Sequence, residues 1–179
     1  FTGSAPLAGT NVSLEYTGGD VAPGAYTTGP EATQYTNLGN GNVTVNFDDA
    51  GDSFTYGGAI TTTGSVTQTN GNTTYNGSIS ASSFESVAGT VTFGTGFRLT
   101  TTGDATFAKA VTVGALDVGG NLVKSDEKLT AASVEVDGTE TNTAGDFEVK
   151  GDLTATGAFT KTAGTLTVDG NATLSAGGT

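Results

Sequence analysis

GDFEVKGDLTATGAFTKTAGTLTVDGNATLSAG, residues 145–177, runs in six-residue steps that each open on glycine. The steps are GDFEVK, GDLTAT, GAFTKT, an extra Ala163, GTLTVD, GNATLS, an extra Ala176 and Gly177. The template is glycine, any residue, apolar, usually threonine, often apolar, polar. It recurs at 58–82 as GAITTT, GSVTQT, an extra Asn70, GNTTYN and GSISAS. A repeat this short cannot enclose a core of its own, so it must stack on copies of itself. Three steps plus one extra residue make a circumference of about nineteen, one turn of a three-sided β-solenoid whose extra residue sits at a corner. Wound this way, residues 41–179 give about seven coils spaced by the strand separation of about 4.8 Å.

Outside those stretches the period is two, the signature of half-buried strands. Val43, Val45 and Phe47 alternate with polar residues, as do Val91 and Phe93, Val111 and Val113, Leu116 and Val118, and Val134 and Val136. Phe147 and Val149, and Leu166 and Val168, repeat the pattern. No stretch of ten residues carries a helical period, so essentially no helix is expected; 120–132 is the weakest segment, a coil insertion or a short helical turn. The fold class expected is all-β, a β-solenoid with inward apolar columns and outward threonine ladders. A β-sandwich is the alternative, since glycine turns and strands suit it too. The 29 glycines and 36 threonines among 179 residues fit either, supplying corners and strand positions.

All three prolines (Pro6, Pro23, Pro30) fall in the first thirty residues. Residues 1–40 therefore read as an irregular N-terminal segment ahead of a repetitive β domain, 41–179. Within the segment, 11–16 alternates as a strand, a candidate for exchange into the sheet of a neighbouring subunit.

Net charge is −12, and all six basic residues lie between Arg98 and Lys161. Binding to a nucleic-acid backbone needs a cationic footprint that this pattern does not provide, and attraction to anionic lipid is excluded on the same ground. No apolar run is long enough to span a membrane. Cysteine, histidine, methionine and tryptophan are missing, which removes the common thiolate and imidazole ligands and the usual nucleophilic triads. Carboxylate pairs of the kind used by glycosidases remain, without the aromatic and basic surroundings that hold a sugar, so no enzymatic activity is expected. Beginning at Phe1 with no leader, the chain reads as a mature secreted product or an excised fragment. The repeat runs to within two residues of the last one with no capping segment, and that edge reads as either an excision boundary or a subunit interface.

Three sets of residues stand out as candidate sites. Asp48, Asp49 and Asp52, around Gly51, can offer hard oxygen ligands to Ca²⁺, though not in EF-hand spacing; a solvated turn is the plainer account. No other cofactor is expected. Glu135, Asp137 and Glu140 read as an outward polar face, with Asp126 and Glu127 nearby to bridge a cation or pair with Lys124 and Lys128. Sequons at Asn11, Asn42, Asn72, Asn76 and Asn171 would be outward glycosylation positions in a secreted coat protein. Threonine pairs such as Thr61/Thr63 and Thr165/Thr167 are typical of ice-binding arrays, but threonine is also the ordinary polar occupant of an outward strand position.

The run at 151–178 resembles the nineteen-residue coils of filamentous-haemagglutinin-type adhesins and related autotransporter passengers. The likeness is clearest over 145–179, fainter at 58–82 and absent from 1–40. The pattern is also similar to stalk repeats of trimeric viral fibres and, more distantly, to bactofilins. The resemblance implies a non-enzymatic extracellular or cell-surface protein, either self-assembling with its own copies as partners or binding a host glycan or protein.

Overall fold

The computed structural model describes residues 12–16, 41–47 and 53–176. Throughout them strands alternate with short corners, and no helix occurs among them. Every pairing between strands is parallel, each strand lying against the equivalent strand of the next coil. This is a three-sided β-solenoid.

The first face is the clearest. Its inward column reads Val43, Val66, Phe84, Ala105, Leu122, Glu140 and Phe159. Those positions are 23, 18, 21, 17, 18 and 19 residues apart, so the expected nineteen is an average rather than a fixed circumference. The ladder constrains strands only; corners absorb the differences in length. The second face begins with Ser53–Tyr56 and the third with Ile60–Thr61. At Val111–Val118 and Leu129–Val136 a single strand bends through the corner between these two faces and serves both.

Sequence alternation becomes radial geometry. Val111, Val113, Leu116 and Val118 are buried while Thr112 is exposed. The buried side chains form one continuous core along the axis, with Tyr75 stacked on Phe93 at 5.2 Å and Phe84 beside Phe107 at 5.5 Å. On the outside of the second face Thr55, Thr74, Thr92, Thr112 and Thr130 stand in file, followed by Glu148 and Thr167. The threonine ladder is therefore a single rank on that face.

The position after a corner glycine carries more information than its "any residue" reading allows. Asn42, Asn72, Asp104, Asn121, Asp146 and Asp152 each accept, through Oδ1, the backbone N–H of the matching residue one coil on: Ser65, Thr90, Asn121, Thr139, Thr165 and Asn171. These bonds bridge coils where the strand ladder is interrupted.

One expectation changes. Segment 120–132 is neither insertion nor helical turn: Leu122–Lys124 is an ordinary strand of the first face, and Leu129 opens the next. The strand Val12–Tyr16 pairs along its whole length with Val43–Phe47 of the same chain. It thus forms the first rung of the first face.

Close stacking makes some corners intolerant of a side chain. A Cβ on Gly145 (φ +78°) would lie 1.4 Å from the Glu127 carbonyl oxygen, whereas one on Gly96 (φ +82°) would meet nothing within 4 Å. Gly96→Ala is expected to cost about 1–2 kcal/mol, the left-handed conformational penalty alone. Gly145→Ala should cost several kcal/mol, because a neighbouring backbone must also move. Urea denaturation of the two variants beside the wild type measures both.

Candidate functional site

The interior is not uniformly apolar. At the corner between the first and second faces, the inward column after Val45 reads Gln68, Ser86, Phe107, Lys124, Asn142 and Lys161. Three residues after each polar member lies a residue in the left-handed conformation: Gly71, Gly89, Glu127, Gly145 and Gly164. After Phe107 only three residues separate the strands, against four after Lys124, and no left-handed residue occurs there.

The physical link is the carbonyl group. The left-handed turn brings backbone carbonyl oxygens within reach of the inward side chains, and a buried carbonyl needs a donor. Gln68 Nε2 donates to the Gly71 oxygen at 2.7 Å and to that of Thr90 at 3.2 Å. Lys124 Nζ donates to the Glu127 oxygen at 3.0 Å. Lys161 Nζ donates to the oxygens of Gly145 (2.7 Å) and Ala163 (2.8 Å). Lys161 thereby serves the coil below as well as its own.

Lys124 is fully buried among these groups. Desolvation lowers its pKa, opposed by the nearby charges of Asp126 and Glu127. Beside it in the coil above are Glu140 and Asn142, both fully buried, the first on the neighbouring inward column of the same strand. Neither Glu140 carboxyl oxygen and neither Asn142 amide atom has a hydrogen-bond partner. Burial pushes the Glu140 carboxyl up to about 8, with Lys161 pulling it back. Lys124, Glu140, Asn142 and Lys161 therefore place an amine, an acid and a carboxamide in one water-poor interior.

Glu140 corrects the expected outward acidic face. Glu135 and Asp137 are exposed, but the turn at Gly138 resets the alternation and sends Glu140 inward between Leu122 and Phe159. Lys124 likewise makes no side-chain pair with Asp126 or Glu127. Lys109 takes both, at 3.1 and 3.5 Å, and Lys128 pairs with Glu148. Glu148 also holds Lys150, and the two ammonium groups keep its carboxyl well below the usual range.

Asp48, Asp49, Asp52 and Asn11 lie outside the described residues. Among the described residues no group of three or more acidic side chains is placed to hold a metal ion. Asn42, Asn76 and Asn171 are exposed. Asn72 is half-buried, its Oδ1 accepting from both Thr90 N and Thr90 Oγ1 at 2.9 Å. The polar corner itself was missed in sequence. Its signal, a polar residue followed three positions later by glycine, stands in QTNG, SVAG, NTAG and KTAG at 68, 86, 142 and 161.

Compared with known proteins, the chain matches no protein-family model, no curated protein and no solved structure.

The buried acid makes stability depend on pH. Its pKa is raised on folding, so below about pH 4.5 it is protonated in both states and its ionisation takes nothing from stability. As pH rises the unfolded chain ionises first and stability falls, until the folded acid itself ionises near 8. Lys161, on the neighbouring inward column one coil on, is the charged group that acts on it. Glu140→Leu, matching Leu122 below it, is expected to remove this slope. Relative to wild type the variant should gain on the order of 3 kcal/mol between pH 5 and pH 8, read from denaturation midpoints at the two values.

Proposed function

We propose that this chain is a non-enzymatic structural module, a length of β-solenoid that builds an extracellular or cell-surface filament by stacking on copies of itself. In this role it is comparable to the filamentous-haemagglutinin-type and autotransporter passengers its repeats resemble. One observation carries the reading. Every described pairing between strands is parallel and joins equivalent strands of successive coils, and the inward columns of all three faces continue coil after coil through Phe159, Leu166, Val168 and Leu174. Three parallel edges with an apolar centre form a template for another coil. A second copy stacked there extends the same columns.

Net charge of −12 opposes such contact at low salt, so salt or Ca²⁺ should favour it. Sedimentation velocity across a concentration series, with negative-stain micrographs with and without Ca²⁺, tests the reading. Assembly should grow with concentration, and Leu174→Asp should abolish it with the circular-dichroism spectrum unchanged. A monomer at every concentration, or assembly indifferent to Leu174→Asp, overturns it.

A second reading, an adhesive passenger that binds a host glycan or protein, is favoured by a shallow groove lined by Thr61, Thr62, Thr63, Ser80, Ser82 and Thr102. Its hydroxyls can meet sugar hydroxyls. A persistent monomer retained on a glycan array would support this reading in place of assembly.

A further inference from the structure

The coil that begins at Glu140 is unlike its neighbours in the amount of polar surface it leaves unsatisfied. Glu140 Oε1 and Oε2 and Asn142 Nδ2 and Oδ1 are all buried without partners. Each such group costs about 1–3 kcal/mol in an interior that excludes water. In the coil containing Lys124 the same columns hold Leu122 and an amine bonded to the Glu127 carbonyl oxygen, so the fold does not require an acid and an amide at these positions.

The register decides which groups can meet. Lys124 and Asn142 are direct Cα partners on adjacent parallel strands, both pointing inward. Adjacent strands are about 4.8 Å apart, within the reach of a lysine stem. Glu140 is two residues from Asn142 on the same inward face, so its carboxyl and the carboxamide share one side of the strand.

We propose that Lys124 and Asn142 are joined by an isopeptide bond formed inside the solenoid, with Glu140 as the group that moves the proton. The reacting carboxamide carbon is Asn142 Cγ. Glu140, protonated in this apolar setting, donates to Asn142 Oδ1 and polarises the carbonyl. Lys124, in its neutral amine form, attacks Cγ through Nζ. A proton passes from Nζ by way of the Glu140 carboxyl to the departing nitrogen, Nδ2. The Cγ–Nδ2 bond breaks and ammonia leaves. An amine and a primary amide have become a secondary amide and ammonia, Glu140 regains its proton, and no oxidant or metal is consumed. Burial serves each step: it favours the neutral lysine and the neutral acid and keeps water from competing for Cγ. Lys161, on the other side of Asn142, is half-buried and committed to two carbonyl oxygens, whereas Lys124 is fully buried and holds one. The assignment is therefore to Lys124. The bond would tie two successive coils together covalently in a chain without cysteine, independently of whether the rod assembles.

Intact-mass spectrometry of the whole purified chain tests this directly. The expected mass is about 17 Da below that of the sequence, the loss of one ammonia, and a protease digest should yield one branched peptide joining Lys124 to Asn142. Asn142→Ala and Glu140→Gln should each show the full mass of their own sequences. A wild-type mass equal to that of the sequence overturns the proposal, and so does hydrolysis of Asn142 to aspartate. A branched peptide carrying Lys161 overturns the assignment to Lys124, and a Glu140→Gln protein that still loses ammonia overturns the role of Glu140. The wild-type mass decides the central point even if both variants fail to fold.

Discussion

The rest of this structure depends on one constraint: each strand must hand its backbone hydrogen bonds to the strand of the next coil, in parallel and in register. That ladder converts a linear repeat into columns, because a residue's place along the axis fixes the residue above and below it. Val66 lies over Val43, and Phe159 over Glu140, whatever their individual preferences. The core is a stack of thin layers, so one unsuitable side chain affects two coils and not one. It also explains why corner length can vary while strand register cannot.

Corners are where the ladder stops, and there the chain needs substitutes. Asparagine and aspartate oxygens accept N–H groups of the next coil on the outside, as Asn121 does for Thr139. On the inside, left-handed turns present carbonyl oxygens to inward side-chain donors, and Gln68, Lys124 and Lys161 supply them. A fully buried lysine in a small β protein is ordinarily costly. Here its amine faces the Glu127 carbonyl oxygen, and that dipole accounts for its position. Glu140 and Asn142 have no comparable account in the fold, and that sets their coil apart from the coils stacked on either side of it.

Much of the architecture was legible from residues alone. The glycine register at 145–177 and the alternation at 111–118 follow from local steric and solvation rules that operate on a few neighbouring residues. The extra Asn70 and Ala163 were rightly placed at corners, since Asn70 lies within the three-residue turn after Gln68 and Ala163 within the four-residue turn after Lys161. The direction of Glu140 was not legible. Alternation predicts facing only within an unbroken strand, and the turn at Gly138 restarts the count. Neither was the partner of Asp126, because Lys109 lies a coil away in sequence and beside it in space.

The sequence by itself determined that this chain winds, that it winds in short glycine-cornered steps, and which residues alternate in and out along each strand. Those properties depend on contacts between residues a few positions apart. Only the tertiary structure decided which inward residues share a column, and so which buried amine, acid and amide lie on neighbouring strands. Those neighbours are about a coil apart in sequence, and the spacing between coils varies from 17 to 23 residues. A repeat with variable corners fixes the kind of stack in advance, but it leaves the pairing of individual side chains to the folded register.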